Sequence, residues 1–247
     1  MSEIMDLMKI PEIVNAGKVI CIQPHPDDNE IGMGGTIALL AEKGCDIYYL
    51  TVTDGSLGTE DTQMKKENLR QMRHKEAIEA GTVLGAKHFE FMDKEDGSLS
   101  DIPVLAKEIA QVIRTIQPDM IFCPDPWSEY EAHYDHIVTG RAAAQAAISS
   151  NLAKYPEGTD PWQVEAIGFY FTNKPNQIVD VSNTFDQKFM AMKAHKTQMP
   201  DELLELYRQY FKMQSLRLAE EKSFDLGEGL RVMRPLHLHC FVEALMI

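Results

Sequence analysis

The sequence predicts an α/β protein with a Rossmann-like, mostly parallel sheet, helices on both faces, and a small C-terminal extension of strand and helix. Continuous apolar, β-branched runs alternate with helical segments through residues 18–149. This alternation is typical of parallel sheets that are covered on both faces. Each apolar run ends in a polar loop. Because parallel strands place their carboxyl ends on one edge of the sheet, these loops are predicted to meet there.

Four strand–helix units make up the first part of the chain. Apolar runs predict strands at residues 18–22, 46–53, 88–92 and 119–123. Helical spacing and composition predict helices at residues 34–43, 61–85, 102–116 and 135–149. Gly44 and Gly85 stand where a helix-ending glycine belongs, and Pro118 stops a third helix. The polar loops at 24–30, 53–59, 93–99 and 124–136 should therefore share one rim.

The pattern changes after Trp162. Strands are predicted at residues 165–172, 177–181 and 236–242, and helices at 184–195 and 201–221. In the last strand, LHLHCFV, His237 and His239 alternate with leucines. Alternate residues of a strand point to the same face, so both histidines are expected to face one side of the sheet.

Length, charge and cysteine usage limit the class of protein. The 247 residues contain no low-complexity linker or internal repeat, and we expect one domain spanning 1–247. A net charge of −14 argues against nucleic acid or an anionic membrane as the main partner. No run of 18 apolar residues and no basic N-terminal leader are present, which predicts a cytoplasmic protein. Four widely spaced cysteines indicate neither a disulfide framework nor a cysteine zinc site.

Residues 19–37, VICIQPHPDDNEIGMGGTI, carry the most distinctive chemistry. His25, Asp27 and Asp28 follow directly after the first predicted strand. Each of these side chains is costly to bury without a partner. A divalent metal would offset that cost, and imidazole together with carboxylate suits zinc. The alternative is a plain surface turn, since proline and aspartate are good turn formers.

A second histidine pair, in HYDH, lies at the predicted start of a helix on the same rim. A catalytic zinc needs three protein ligands and an open position for water. His25 and Asp28 would supply two ligands, and either His133 or His136 the third. An H-x-x-H pair alone is weak evidence, but its position opposite HPDD strengthens the interpretation.

Two aspartates beside these ligands are candidates for supporting roles. Asp135 lies between the two histidines and could fix the tautomer of one of them. Asp27 adjoins a ligand without being needed as one, so it is placed to take a proton from metal-bound water. The residues thus predict a metal-dependent hydrolase.

Longer segments resemble a known family. PHPDDNEIGMGGTI and AHYDHIVTGRAAAQA resemble the LmbE/PIG-L family of zinc-dependent N-acetylglucosaminide deacetylases. DPWSEYEAHYDH, FYFTNKPNQIVDV, KAHKTQMPD and GEGLRVM are similar to its diacetylchitobiose deacetylase branch, and the matching segments are spread over nearly the whole chain. The resemblance implies a hydrolase that removes the N-acetyl group from a small N-acetylglucosamine-containing saccharide or conjugate by attack of zinc-bound water. It also implies a homo-oligomer, a trimer or hexamer.

The resemblance further implies roles for individual residues. Three residues would bind Zn²⁺: His25, Asp28 and His136. Asp27 would be the general base. His133 would stabilise the oxyanion or protonate the leaving amine, with Asp135 orienting it and raising its pKa.

Four positions outside the two motifs are also expected in the site. Arg73 would face the sugar or hold Asp96, which lies in the family's acidic turn. His239 matches the branch's C-terminal histidine and would be catalytic, whereas His237 would be a bystander. Trp127 either stacks on a sugar ring or packs as an ordinary loop aromatic.

Three other functions stay open at this point. GMGG after a strand suggests a nucleotide-binding loop, but its spacing is not G-x-G-x-x-G and the preceding DDNE would repel a pyrophosphate. The second open function is that of another metal-dependent amidase or phosphoesterase acting on a different small substrate, although phosphoester hydrolysis often uses two metals. A sugar-binding protein without turnover would not need Asp27. The group attached to the sugar, for example a second N-acetylglucosamine, malate or inositol, is not determined.

Overall fold

A computed structural model describes residues 9–242 and residue 244. The strands are β1 Lys18–Gln23, β2 Asp46–Thr53, β3 His88–Lys94, β4 Met120–Pro124, β5 Ala166–Tyr170, β6 Gln177–Asp180 and β7 Gly227–Met233. The α-helices are α1 Asp28–Glu42, α2 Lys66–Val83, α3 Ile102–Ile116, α4 Tyr134–Ser149, α5 Phe185–Met192 and α6 Asp201–Ala219. Two short 3₁₀-helices cover Ile13–Asn15 and Pro235–Leu238.

The sheet confirms the predicted fold class. Within the described residues its strand order is β3-β2-β1-β4-β5-β7-β6. Strands β1 to β5 run parallel, and β7 is antiparallel to both β5 and β6. The order of strands reverses between β1 and β4. Open α/β sheets bind ligands in the crevice at the carboxyl ends of the strands at such a reversal.

Helices cover both faces of the sheet, and each face has its own apolar core. Ile37 of α1 and Phe189 of α5 belong to one core, and Ile109 of α3 belongs to the other. Neighbouring residues of β1 alternate between the two cores, with Ile20 on one side and Cys21 on the other. Because both faces of a strand are buried, its sequence is apolar without interruption.

Local sequence signals predicted several boundaries well. Strand β2 and helix α3 have the predicted bounds, and Gly44 and Gly85 have the positive φ values of helix-ending glycines, 85° and 90°. Helix α1 differs, because it begins at Asp28 rather than at residue 34 and is kinked at Met33. The prolines and aspartates before it favoured a loop, whereas the chain turns straight into the helix.

The predicted strand at 236–242 is wrong. The final strand is β7, which ends before Pro235, and Pro235–Leu238 form a 3₁₀-helix. His237 is buried and His239 is exposed, so the two histidines do not share a face. Proline has no N–H for a strand ladder and suits the first turn of a helix. The glycines of β7 concealed the real strand: a Cβ at Gly229 would lie 2.9 Å from Pro175, so glycine permits this close packing.

Two expectations about the whole chain are not decided by the fold. Residues 1–8, 243 and 245–247 lie outside the described part, so the expectation about the N-terminus falls outside it as well. Among the described helices, none combines the length and apolar character needed to span a bilayer. One domain over 1–247 stays a prediction.

Candidate active site

The polar loops after β1, β2, β3 and β4 meet at the carboxyl edge of the sheet. The Leu57 N–H donates to Asp96 Oδ2 at 3.0 Å, which joins the loops after β2 and β3. The Gly97 N–H donates to Asp135 Oδ2 at 2.8 Å, which joins the loop after β3 to the start of α4. The Thr53 N–H donates to the Pro24 carbonyl at 2.8 Å. Residues far apart in sequence thus form one rim, as the fold class predicted.

The three expected metal ligands lie together in this crevice. His25 Nδ1 is 3.2 Å from Asp28 Oδ2, and His136 Nε2 is 3.3 Å from Asp28 Oδ1. The His25 backbone N–H also donates to Asp28 Oδ2, at 2.8 Å. All three side chains are buried. The carboxylate of Asp28 therefore lies between two imidazoles, with one oxygen toward each.

The other nitrogen of His25 faces two more carboxylates. His25 Nε2 is 3.3 Å from Asp96 Oδ1 and 3.4 Å from Asp135 Oδ2. A carboxylate behind an imidazole fixes its tautomer and directs the opposite nitrogen at a metal. Asp135 was expected to orient His133, but the described residues include no hydrogen bond between them. It contacts His25 and the Gly97 N–H instead.

The charges of this cluster favour a bound cation. Burial alone would lower the pKa of His25, but hydrogen bonds to Asp135, Asp28 and Asp96 raise it to about 12. The pKa of Asp28 is held well below its ordinary value despite burial, because of His136 and His25. The three buried carboxylates around His25 thus stabilise a positive charge on its imidazole. A divalent ion can supply that positive charge in place of protons.

The donor set fits a metal ion. Ligand atoms of two groups lie within 4.8 Å of one another: His25, His133 and His136, and His25, Asp96 and Asp135. Asp135 Oδ1 is buried without a hydrogen-bond partner among the described residues. Neither of these two groups is the expected set of His25, Asp28 and His136, although two imidazoles with a carboxylate, as in that set, are typical ligands of catalytic zinc. The observation supports a metal site without identifying the metal.

Asp27 lies beside the ligands in a strained conformation. Its φ is 130°, which non-glycine residues rarely adopt. Such strain is often found at functional sites, where surrounding contacts hold it in place. Burial raises the pKa of Asp27 to about 6, even though the nearby Arg73 guanidinium acts to lower it. A carboxylate with this pKa can exchange protons near neutral pH.

Arg73 holds Asp27 rather than Asp96, contrary to one of its expected roles. The buried guanidinium donates from Nη2 to Asp27 Oδ2 at 3.1 Å and to the Pro26 carbonyl at 2.7 Å. Its Nη1 donates to the Gly55 carbonyl at 2.9 Å. A Cβ at Gly55, whose φ is 63°, would lie 2.7 Å from that nitrogen. Glycine is therefore needed where the loop after β2 approaches the guanidinium.

His133 lies at the exposed rim of the cluster. Its ring centroid is 4.5 Å from that of His25, edge to face. Partial burial, together with the positive charges of His25 and His136, lowers the pKa of His133. Asp135 acts to raise this pKa, as expected, but its charge does not outweigh the effects that lower it.

Three residues of the site were missed from the sequence. Glu131 Oε2 lies 3.4 Å from His136 Nδ1, and Glu131 Oε1 accepts the His133 backbone N–H at 2.7 Å. Phe171 stacks on His136, with centroids 5.9 Å apart. Gln198 donates to the Gly58 carbonyl at 2.8 Å. The acid in EAHYDH could have suggested Glu131. Phe171 and Gln198 lie in FYFTNKPNQIVDV and KAHKTQMPD, which resemble the branch without marking these two residues for the site.

Two expected site residues lie elsewhere. Trp127 packs edge-on against Phe169, with Arg141 above its ring, and borders a separate pocket of about 240 Å³. His239 is exposed after the last 3₁₀-helix, and no contact among the described residues joins it to the cluster.

Two cavities adjoin the ligands from different sides. A small cavity of about 310 Å³ is bordered by His25, Asp27, Arg73, Asp96 and His133. A larger one of about 860 Å³ begins at Asp28 and His136 and runs along α6. The candidate base Asp27 and the expected ligand His25 border the small cavity, whereas the other two expected ligands, Asp28 and His136, border the larger one.

The chain is similar to known deacetylases. The family model PIG-L, described as GlcNAc-PI de-N-acetylase, matches residues 20–147. A diacetylchitobiose deacetylase of Thermococcus kodakarensis is 37% identical over 227 residues, which cover 90% of this chain and 85% of that protein. A probable N-acetyl-alpha-D-glucosaminyl L-malate deacetylase 2 of Bacillus cereus is 28% identical over 190 residues, 73% of this chain and 83% of that protein.

The solved structure of a deacetylase is also similar to the structure of this chain. The N,N'-diacetylchitobiose deacetylase from Pyrococcus horikoshii, in complex with its inhibitor MPG, has a TM-score of 0.88 and 35% identity. The match covers 94% of this chain and 90% of that one. The family model spans the residues of the buried cluster from His25 to His136, and the chain belongs to the PIG-L/LmbE family of metal-dependent deacetylases.

Proposed function

We propose that this protein is a zinc-dependent hydrolase that removes the N-acetyl group from a small N-acetylglucosamine-containing saccharide similar to diacetylchitobiose. The observation that carries the proposal is the pairing of a ligand cluster with a separate base. Asp28 lies between His25 and His136, and Asp27 is fixed beside it by Arg73. The similarity to diacetylchitobiose deacetylases supports the choice of substrate.

The ligands for the metal would be His25, Asp28 and His136. Two imidazoles and one carboxylate favour zinc over magnesium or calcium, which prefer oxygen ligands. A zinc ion bound there would lower the pKa of a water molecule and polarise the amide carbonyl. Asp96 and Asp135 would hold the His25 ring in place through Nε2.

Asp27 would act as the general base. Its carboxylate accepts a proton from the attacking water as the water oxygen bonds to the carbonyl carbon. The amide C–N bond then breaks, and the same proton passes to the departing amine. The products are acetate and a free amino sugar. Arg73 keeps the carboxylate oriented, because the guanidinium is itself fixed by two backbone carbonyls.

His133 would stabilise the negative charge that develops on the carbonyl oxygen. A neutral imidazole can donate one N–H to that oxygen. The lowered pKa of His133 favours this role over protonation of the amine by a cationic histidine. Its exposed position at the rim of the small cavity suits contact with a substrate.

One experiment separates this function from the alternatives. The purified protein is analysed for bound metal and then assayed for acetate release from N-acetylglucosamine and N,N'-diacetylchitobiose, and for phosphate release from p-nitrophenyl phosphate. We expect zinc-dependent acetate release. Phosphate release without acetate would indicate a phosphoesterase, and sugar binding without either product would indicate a binding protein.

We also propose four properties of the whole protein that the sequence predicted. These are a cytoplasmic location, one domain, a homo-oligomer of three or six chains, and no nucleic-acid or membrane partner. The net charge of −14 supports the last of these. Sedimentation equilibrium tests the oligomeric state, and a monomer would contradict it.

A further inference from the structure

Helix α6, Asp201–Ala219, is apolar on two opposite sides. On its inner side, Tyr207 and Phe211 pack against the core to which Phe189 of α5 belongs. A helix at the surface of a protein normally has charged and polar residues on the side opposite to its core contacts. The outer side of α6 instead carries four large apolar side chains, which are Leu206, Tyr210, Met213 and Leu216.

These four side chains form a stripe, which we call the outer face of α6. They recur at intervals of four, three and three residues, so they follow one side of the helix. Leu206, Tyr210, Met213 and Leu216 are 59%, 52%, 65% and 49% exposed, respectively. Single exposed apolar residues are normal on a protein surface, whereas contiguous ones indicate a surface that another molecule covers.

Opposite charges stand at the two ends of the outer face. Glu202 lies at its N-terminal end and Arg217 at its C-terminal end, and both are exposed. The ion pairs among the described residues include that of Arg208 with Asp186 of α5, but none that involves Glu202 or Arg217. One end of the outer face is therefore acidic and the other basic, and both charges are available to a partner.

A second copy of α6 is complementary to the outer face when it runs antiparallel. Glu202 and Arg217 are equally distant in sequence from a point just before Tyr210, and so are Leu206 and Met213. A two-fold axis at that point would place Leu206 against the partner's Met213, and Glu202 near the partner's Arg217. A parallel arrangement would place each acid against the same acid. Antiparallel helices also bring opposite ends of their dipoles together.

The surface available to a partner extends beyond α6. The helix has 19 residues. It is thus about 28 Å long and about 10 Å wide, which gives it a footprint of roughly 300 Å². A stable interface buries about 800 Å² on each partner. A groove of about 490 Å³ between α5 and α6, bordered by Met190, Leu204 and Glu205, continues the surface, and Met190 is itself exposed. The contact is therefore expected to include α5.

We propose that the outer face of α6 is a two-fold interface with a second copy of this chain. The two helices are antiparallel, with Leu206 and the partner's Met213 at the centre and Glu202 and the partner's Arg217 at the ends. The proposal specifies the contact within the proposed homo-oligomer, and it does not depend on the deacetylase chemistry. A two-fold contact requires an even number of chains, so it favours six chains over a ring of three.

The first test measures the mass of the full-length protein by sedimentation equilibrium over a range of concentrations. Met213→Asp places a charge at the centre of the proposed interface, at a position that is exposed in the single chain, so the fold should be retained. We expect the mass of the assembly to halve. Val104→Asp is the matched control, because Val104 is an equally exposed apolar residue of α3, on the other face of the sheet. It should leave the mass unchanged.

The outcomes separate this interface from the broader proposals. A wild-type mass retained in Met213→Asp would overturn the interface. A trimeric wild type would refute the α6 contact and leave the homo-oligomer standing, whereas a monomer would refute both and mean that a different molecule covers the outer face. None of these results depends on whether the protein releases acetate.

An exchange of charges tests the antiparallel arrangement. Glu202→Arg and Arg217→Glu each place like charges together at both ends of the contact. Measured at low ionic strength, where salt screens least, each should weaken association by about tenfold. The double variant restores opposite charges and should associate within about twofold of the wild type, since attraction replaces repulsion. Single variants that associate like the wild type, or a double variant weakened by the product of the two single effects, would refute the arrangement.

Discussion

The two loops that supply the candidate metal ligands differ in burial. The loop after β1 buries His25, Asp27 and Asp28, each no more than 9% exposed, and runs directly into α1. The loop after β4 reaches the surface, where Tyr130 is 99% exposed and His133 is exposed. Only the start of α4 brings it back into the cluster. The buried loop after β1 thus holds its charges in a low-dielectric environment, where their interactions are stronger. The exposed loop after β4 forms the rim that a substrate must cross.

This comparison predicts that substitutions in the buried loop have the larger effects. His25→Ala should abolish metal binding and acetate release together. Loss of a partner behind a metal ligand costs about 10–100-fold in affinity or activity, and loss of the ligand itself should exceed that. It would also leave the carboxylates of Asp28, Asp96 and Asp135 without their shared partner.

Elemental analysis and acetate release check this expectation, with circular dichroism to verify folding. Tyr130→Ala, in the exposed loop, is the control and should retain metal and turnover. Full metal content in His25→Ala would show that the buried loop is not the source of the ligands.

Asp27→Asn should lower kcat by about 10²–10⁴-fold while metal content is retained, because it removes a proton acceptor and not a ligand. The pH profile adds a second readout. A base acts only when deprotonated, so activity should fall as the pH drops through the pKa of Asp27, which burial raises to about 6. A bound divalent cation lowers that pKa, so the acid limb of the loaded enzyme should lie at or below pH 6.

Arg73→Gln tests whether the acid limb of the pH profile reports the pKa of Asp27. Loss of the guanidinium removes a charge that lowers the pKa of Asp27. The acid limb of kcat/KM should therefore move to higher pH than in the wild type. A limb that stays in place, or moves to lower pH, would mean that it does not report Asp27.

His133→Ala tests the rim, and a smaller effect is expected. The variant should keep its metal and lose about a hundredfold in kcat, the lower end for loss of one oxyanion donor. Because burial lowers the pKa of His133, its titration should not set the alkaline limb, which should therefore not change. If His133→Ala loses its metal while His136→Ala keeps it, the two histidines have the opposite roles.

Trp127→Ala should have the smallest effect on catalysis. Trp127 packs on Phe169 and Arg141, away from both cavities that adjoin the ligands. We expect kcat/KM within about twofold of the wild type and a loss of roughly 1–2 kcal/mol in the free energy of unfolding, less than the 3–5 kcal/mol typical of a fully buried tryptophan. Urea unfolding and acetate release measure the two quantities. A large rise in KM instead would return Trp127 to sugar binding.

The sequence determined the elements and the chemical groups of the site. Burial on both faces makes β2 continuously apolar, and burial on one face gives α3 its helical spacing, so both were predicted with correct bounds. HPDD and HYDH follow adjacent parallel strands, so their meeting followed from the fold class. These signals are local, because period and composition directly reflect which face of an element is buried.

The tertiary structure decided which groups are partners. Arg73 bonds to Asp27 across 46 positions and Asp135 contacts His25 across 110, and neither pairing was predicted. The pairing of β7 between β5 and β6 was hidden in the same way, because its glycines follow from close packing against Pro175 rather than from local propensity. Such contacts depend on how helices pack on the sheet, and a buried charge takes whichever partner that packing brings within hydrogen-bond distance.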